Sequence, residues 1–207
     1  MTQTSVTSNE RRIDENILVV PRKNFFLDEP FNGFFACNDF GAYQDVVQEH
    51  KQFLPRSEME QNPSYKQIIP YLVFTYDKKL FLMQRAGTAG EQRLKNKYTL
   101  GIGGHVRESD IAGKTIFDWA VREFQEEIEY DGSLSIQPLG LINDDSNAVG
   151  QVHVGFVFLL KGDSPNIAIR SELKEGSLVS LEECAGFVEN METWSQLAFA
   201  YVQTQGL

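Results

Sequence analysis

Runs of β-branched and aromatic residues, bounded by turn residues, predict most of the strands. The run from Gln67 to Tyr76 is followed by Asp77-Lys78 and then by a second run from Lys79 to Arg85. This arrangement predicts a β-hairpin. Shorter runs of the same kind predict further strands at Asn16 to Pro21, Tyr98 to Ile102, Leu139 to Ile142, Gln151 to Leu160 and Ser177 to Ser180.

Apolar residues spaced three and four positions apart predict the helices. The clearest case begins at Thr115, which forms a capping-box pattern with Asp118. The buried face of this helix is predicted to consist of Ile116, Ala120, Phe124 and Ile128.

Three further helices are expected. An apolar stripe, ended by Pro55, consists of Tyr43, Val46, Val47, His50, Phe53 and Leu54. Ser180 and Glu183 form a second capping box. A last helix over residues 192–203 is predicted to carry inward Trp194, Leu197, Ala198 and Tyr201.

The interspersed hairpins and helices predict an α/β (α+β) fold in which helices cover a mixed sheet. Residues 1–14 are expected to be a flexible lead, and residues 15–60 an N-terminal extension packed on the main domain. The extension is too short to bury a core of its own. The main domain is predicted to cover residues 61–207.

Charge and composition narrow the function classes. The formal net charge is −10, which argues against a nucleic-acid polymer as partner because such surfaces need clustered Lys and Arg. The polar start of the chain is not a signal peptide, and the longest apolar stretch, around Gly155 to Leu160, is too short to span a bilayer. The two cysteines, Cys37 and Cys184, lack metal-ligand spacing. A cytoplasmic protein without membrane association is expected.

The strongest chemical signal is the segment from Arg122 to Glu127. On a helix, Glu123, Glu126 and Glu127 share one face through i+3 and i+4 spacing. Clustered carboxylates suit Mg²⁺ or Mn²⁺, whereas a bare acidic helix face is more often simply solvated. Arg122 could brace one of the carboxylates by an ion pair.

A glycine cluster, Gly101-Ile-Gly-Gly104, precedes this helix. Glycines allow a phosphate to approach the backbone closely, although a plain tight turn is the alternative interpretation. The position of the cluster between a strand and the acidic helix favours the phosphate interpretation.

Together these residues resemble the Nudix box, G-x5-E-x7-R-E-U-x-E-E-x-G-U, where U is a bulky aliphatic residue. Gly104 matches the first glycine, Asp110 stands at the first glutamate, and the segment from Arg122 to Glu127 matches the core. The chain departs from the motif in a spacer about four residues longer before Arg122, and in Glu129 and Tyr130 at its last two positions.

The resemblance extends over about residues 67–183 and implies a Nudix-type α/β/α sandwich with a mixed sheet. The run from Pro70-Tyr71 to His105 further resembles a poorly characterised bacterial subgroup of predicted phosphoesterases.

By this resemblance the chain is a pyrophosphohydrolase that uses Mg²⁺ or Mn²⁺ to cleave a diphosphate linkage in a nucleoside diphosphate derivative. Glu126 and Glu127 would be the principal metal ligands, Glu123 a third ligand or an orienting base, and Arg122 part of the catalytic group. A downstream carboxylate often completes such a site. The candidates, each also readable as a solvated loop acid, are Asp144, Asp145, Glu172 and Glu175.

The phosphates of a small diphosphate substrate require polar partners. The expected substrate-binding residues are Gly103, Gly104, Arg85, Arg93 and His105. His153 could also face the cleft from its strand, although for both histidines a structural role is the alternative. The N-terminal phenylalanines could stack on a base, although core packing or a dimer contact is the more ordinary role.

Two other functions remain open. Some relatives of the family bind nucleotides without cleaving them, so a non-catalytic sensor or regulator is the alternative; a pure binder, however, has no need for three glutamates. An isoprenoid diphosphate isomerase would need a cysteine near the glycine turn, and neither Cys37 nor Cys184 lies there in the sequence. Homodimerisation, common in the family, is a further expectation.

Overall fold

The computed structural model describes residues 14–36, 40–85, 97–110, 115–170 and 173–206. Its strands are β1 (Asn16–Pro21), β2 (Gly33–Phe35), β3 (Gln52–Pro55), β4 (Tyr65–Tyr76), β5 (Lys79–Arg85), β6 (Tyr98–Thr99), β7 (Gly101–Gly103), β8 (Ile128–Tyr130), β9 (Leu134–Asn143), β10 (His153–Gly162), β11 (Ile167–Ile169) and β12 (Leu173–Val179). Its α-helices are α1 (Arg22–Phe25), α2 (Phe40–His50), α3 (Arg56–Met59), α4 (Ile116–Glu127), α5 (Ala148–Val152), α6 (Leu181–Ala185) and α7 (Thr193–Thr204). Two 3₁₀ turns cover Glu108–Asp110 and Val188–Asn190.

A mixed sheet forms the centre of the fold. Its main strand order is β12-β5-β4-β10-β9-β2, with β4 and β10 parallel and the neighbouring pairs antiparallel. Asp77 and Lys78 both have positive φ, as the tight hairpin turn between β4 and β5 requires. Strands β8 and β11 pair separately.

Helices cover both faces of the sheet. Along β4, Leu72 and Phe74 face one cluster with α1, α2 and α4, whereas Tyr71 and Val73 face a second cluster with α6 and α7. This alternation follows from the two-residue period of a strand. The predicted α/β/α sandwich with a mixed sheet is therefore confirmed. None of the described helices has the length and apolar content needed to cross a bilayer.

Residues of the expected extension join the same sheet. Strand β1 lies between β3 and the start of β4, with Val19 opposite both Gln52 and Gln67. Its central side chains, from Ile17 to Val20, are almost fully buried. The lead predicted over residues 1–14 falls, apart from Asp14, outside the described residues.

The prediction of one helix up to Leu54 was wrong at its C-terminal end. Helix α2 stops at His50, and Phe53 and Leu54 belong to β3, where Leu54 pairs with Ile17. A strand partner in β1 outweighed the helical spacing of these two residues, which shows how tertiary pairing overrides a local pattern.

Other boundaries moved by a few residues. Gln151 lies in α5 rather than in β10, which starts at His153. Helix α7 buries Ser195, Ala198, Phe199 and Val202 most deeply, whereas Trp194, Leu197 and Tyr201 are only partly buried.

The N-terminal phenylalanines pack on one another and on the core. Phe31 stacks on Phe35 at 4.9 Å between ring centroids, and Phe34 stacks on Tyr201 of α7 at 4.2 Å. Phe25 is fully buried. Phe25 thus packs in the core, whereas Phe35, at the outer side of the patch, is 39% exposed.

A buried ion pair fastens α1 and β4 to the loop after β9. The ammonium of Lys66, whose side chain is fully buried, lies 3.0 Å from Asp145 Oδ1, and the Arg22 guanidinium donates to both oxygens of the same carboxylate. Burial lowers the pKa of Lys66 to about 8, against the effect of Asp145. The hydrogen bonds from Arg22 and Lys66 hold the pKa of Asp145 well below its usual range, despite its partial burial.

We expect Asp145→Asn to lower the free energy of unfolding by about 3–5 kcal/mol, because it leaves the Lys66 ammonium buried without its carboxylate. The double variant Lys66→Met/Asp145→Asn should recover most of this loss, since the buried charge is then gone. Urea unfolding of the wild type and the variants measures the difference. Equal midpoints for Asp145→Asn and the double variant would contradict the pairing.

Candidate active site

Helix α4 places the predicted carboxylates on one face. Thr115 and Asp118 form the expected capping box, in which Asp118 N donates to Thr115 Oγ1 and Thr115 N donates to Asp118 Oδ2. The apolar side of the helix, including Ala120 and Phe124, packs on the sheet. The capping box therefore fixes where the helix begins, and the apolar side fixes its rotation.

Glu123 is the buried member of the acidic group. It is 7% exposed, and its carboxylate lies against the backbone of Gly104. A Cβ on Gly104 would come within 2.1 Å of Glu123 Oε1. A side chain at position 104 would therefore displace the Glu123 carboxylate from its place.

Arg122 holds the acidic side chains together. Its Nη1 lies 2.7 Å from Glu126 Oε1, and its Nη2 lies 3.2 Å from Glu123 Oε2 and 3.3 Å from Asp110 Oδ2. Arg107 approaches the other oxygen of Glu126 at 3.7 Å. Asp110 thus reaches the site from the 3₁₀ turn, as its alignment with the first glutamate of the motif suggested.

Burial raises the pKa of Glu123 to about 7, an effect opposed by Arg122 and reinforced by the charges of Glu126 and Glu127. The buried carboxyl of Glu123 lies against Gly104, with Glu126 and Glu127 on the same helix face. Together these three side chains offer hard oxygen donors. The carboxylate oxygens of Glu123, Glu126 and Glu127 do not all lie within 4.8 Å of one another, so an ion held by all three would draw the side chains together. Oxygen donors of this kind suit Mg²⁺ or Mn²⁺, and a bound ion would offset the repulsion among them. Glu123, Glu126 and Glu127 are the residues that could hold the ion.

His105 and His153 lie beside this acidic group. Their Nε2 atoms are 3.2 Å apart, and His105 Nε2 lies 2.7 Å from Gln67 Oε1. The carbonyl of His105 is 3.4 Å from Arg122 Nη2, which links the two clusters. Burial, followed by the charge of Arg56, lowers the pKa of His105 well below its usual value, so the ring is neutral at pH 7.

The structure gives the downstream acids different roles from those expected. Asp145 serves the ion pair with Lys66, and Asp144 is buried and accepts hydrogen bonds from Ser146 and Asn147. Neither is a solvated loop acid. Glu175 is exposed on β12, far along the chain from the glycine turn.

Several predicted residues lie outside the described part of the structure. Arg93, Glu172 and Cys37 fall in the gaps, and the side chain of Arg85, the last residue of β5, is also not described. Cys184, a residue of α6, is fully buried, and burial raises the pKa of its thiol to about 12. It is inert, which removes support for an isomerase that depends on this cysteine.

Sequence analysis missed four residues near the site. Arg107 contacts Glu126, Gln67 contacts His105, and Arg56 and Glu60 come from the segment around α3. Arg107 lies within the Nudix-like motif, between Gly104 and Asp110. No spacing signal could have joined Gln67, Arg56 and Glu60 to that motif, because the tertiary pairing of β1, β3 and β4 brings them there.

We expect substitution of Gly103 to affect the stability of the fold and substitution of Gly104 to affect metal binding at the site. Gly103→Ala places a Cβ 2.7 Å from the Pro70 carbonyl, a backbone atom, so we expect a stability loss of about 1–3 kcal/mol. Gly104→Ala meets only the movable end of Glu123, so it should cost little stability but weaken Mn²⁺ binding about tenfold or more by displacing that carboxylate. Urea unfolding and Mn²⁺ titration calorimetry measure the two effects. Full Mn²⁺ affinity in Gly104→Ala would contradict this geometry.

The raised pKa of Glu123 predicts that the free energy of unfolding of the metal-free protein depends on pH. Between about 4.5, its ordinary pKa, and about 7, the folded state retains a proton that the unfolded state has lost, so stability falls as pH rises. Glu123→Gln removes this dependence. In EDTA, the free energy of unfolding of the variant should therefore rise relative to that of wild type by on the order of 1–3 kcal/mol as pH rises through this window. Urea unfolding at a series of pH values measures it, with exposed Glu129→Gln as control; parallel curves for wild type and Glu123→Gln would refute the shift.

Comparison with known proteins finds a relative that matches most of the chain. No family model matches the sequence. The chain is 34% identical over 201 residues to protein YmaB of Bacillus subtilis (strain 168), covering 89% of this chain and 96% of that protein.

Solved structures share the fold. Tm1382, assigned as a Nudix hydrolase, superposes with a TM-score of 0.79 and is 31% identical, over 92% of this chain and all of that one. The Nudix domain of Shewanella oneidensis NrtR, solved with ADP-ribose, gives a TM-score of 0.55 at 13% identity, over 69% of this chain and 89% of that one, and shows the fold alone. Given the near-complete match to Tm1382, the chain belongs to the Nudix hydrolase superfamily.

Proposed function

We propose that the protein is a metal-dependent hydrolase that cleaves a diphosphate linkage in a nucleoside diphosphate derivative or a related small molecule. The observation that carries this proposal is the acidic face of α4, with Glu123 pressed against Gly104 and Arg122 joining Glu123 to Glu126. A protein that only bound a nucleotide would gain nothing from three like charges on one helical face.

The assignment of roles follows from burial and charge. Glu126 and Glu127 lie at the more accessible end of α4 and are the proposed principal ligands of Mg²⁺ or Mn²⁺. When bound, the ion supplies charge neutralisation for the diphosphate and lowers the pKa of an attacking water.

Glu123 is the proposed group that accepts a proton from the attacking water. A bound divalent ion beside it favours the ionised carboxylate, which is the form that accepts a proton. Arg122 positions the Glu123 and Glu126 carboxylates through its two nitrogens and, with an 18% exposed side chain, is itself largely shielded from water.

Phosphate groups of the substrate would meet backbone and cationic partners. Gly103 is exposed at the end of β7, and because it has no side chain its backbone is accessible to a phosphate. His105, Arg85 and Arg93 remain proposed substrate contacts, and Arg107 beside Glu126 joins them. A small nucleotide-derived substrate is consistent with the ADP-ribose held by the NrtR domain, which shares this fold.

The proposal predicts metal-dependent turnover that requires Glu127. Purified full-length protein is assayed with Mg²⁺ or Mn²⁺ against nucleoside diphosphate derivatives and nucleoside triphosphates, detecting phosphate after phosphatase treatment. Glu127→Gln should reduce kcat by about 100-fold or more, because a neutral amide binds the ion poorly. Glu129→Gln, which changes an exposed glutamate just beyond the helix, is the matched control and should keep wild-type turnover.

The same assay separates the hydrolase from the sensor. Tight binding of one panel member with no cleavage under any metal condition would overturn the hydrolase proposal in favour of a non-catalytic nucleotide-binding regulator. Equal loss of activity in Glu127→Gln and Glu129→Gln would overturn the assignment of Glu127.

A further inference from the structure

Three potential metal ligands converge from distant parts of the chain. Glu60 follows α3, His105 follows β7, and His153 opens β10. Their ligand atoms all lie within 4.8 Å of one another. Among the described residues, no other three His, Cys, Asp or Glu side chains bring their ligand atoms this close together. Glu123 and Glu126 of α4 are instead paired with arginines.

We propose that Glu60, His105 and His153 form a second divalent metal site, distinct from the carboxylates of α4, that takes Zn²⁺ or a similar transition metal. Imidazole nitrogens suit Zn²⁺ and Co²⁺, whereas Mg²⁺ prefers oxygen ligands alone. The donor set of two nitrogens and one carboxylate oxygen therefore selects against the ion proposed for α4.

The spacing of the two imidazoles fits tetrahedral zinc. With Zn–N bonds of about 2.0–2.1 Å, two tetrahedral nitrogen ligands lie about 3.3 Å apart. The observed separation between His105 Nε2 and His153 Nε2 is 3.2 Å. The two rings need almost no rearrangement to share one ion.

An outer hydrogen bond orients His153 for this role. Its Nδ1 donates to the Val149 carbonyl at 2.7 Å, which places the Nε2 lone pair toward His105. Metal-bound histidines commonly have their second nitrogen fixed in this way by a backbone carbonyl.

Gln67 lies against the histidine cluster. Its side chain is fully buried, and its Nε2 has no hydrogen-bond partner among the described residues, although buried amides are normally satisfied. Its Oε1 accepts a hydrogen bond from His105 Nε2 at 2.7 Å, so an ion that binds this nitrogen moves the His105 proton to Nδ1 and replaces that contact.

Glu60 completes the site from the N-terminal segment. Its Oε1 accepts a hydrogen bond from Arg56 Nε at 3.1 Å, and a carboxylate has a second oxygen that can bind an ion while this contact persists. The side chain is only partly buried, so the ion has a route from solvent.

Histidine NMR on the wild-type protein tests the proposal without any mutation. The chain has three histidines, and His50, at the end of α2, is outside the cluster. Addition of one equivalent of Zn²⁺ should shift the side-chain ¹⁵N resonances of two histidines and leave the third unchanged. No shift, or a shift confined to His50, would overturn the proposal.

Variants identify the ligands and separate this site from α4. His153→Asn should weaken Zn²⁺ binding, measured by calorimetry, by at least about tenfold, whereas His50→Asn should bind as wild type does. The visible absorption of bound Co²⁺ should report tetrahedral coordination in wild type and be lost in His153→Asn. Circular dichroism without metal confirms that each variant is folded.

Glu127→Gln distinguishes this proposal from the hydrolase proposal. It should abolish turnover yet preserve the Zn²⁺-induced histidine shifts, because Glu127 is not a ligand of the second site. Loss of those shifts in Glu127→Gln would place the ion on α4 and overturn the second site. If only the turnover assay failed, the hydrolase proposal would fall, and the histidine NMR measurement would still decide whether the second site exists.

Discussion

The site depends on a single guanidinium. Arg122 is mostly shielded from water and contacts three carboxylates, one from the 3₁₀ turn and two from its own helix, as well as the carbonyl of His105. Without this cation, the buried Glu123 carboxyl would lose the main charge that offsets its burial and the repulsion of Glu126 and Glu127. The glycine turn, the acidic helix and the histidine pair therefore share one electrostatic anchor.

Local sequence patterns predicted the elements whose stabilisation is local. The capping box at Thr115 and the apolar face from Ile116 to Phe124 predicted α4, and the turn at Asp77-Lys78 predicted the central hairpin. Ile128, expected on the same helical face, instead opens β8, because α4 ends at Glu127 and the chain turns extended there. Because helical spacing alone puts Glu123, Glu126 and Glu127 on one side, the acidic half of the site could be anticipated from composition and spacing.

The remaining parts of the site depend on contacts between distant segments, which a single sequence does not show. The spacing of Phe53 and Leu54 is compatible with a helix as well as with a strand, and the pairing of β3 with β1 selects the strand. Asp145 looked like a free loop acid because its partners, Arg22 and Lys66, are 123 and 79 positions away. Glu60 reaches the histidines only after the same strands have assembled.

Strand β1 also covers what would otherwise be an open edge. It hydrogen-bonds to the first residues of β4 from Tyr65 to Gln67, on the side opposite β10 over that stretch. A chain that began at residue 61 would present those backbone groups unpaired beside a strongly apolar strand. Such edges recruit other chains, so the N-terminal segment also protects the protein against aggregation once β1 has paired with β4. The edge is most vulnerable before this long-range pairing has formed during folding.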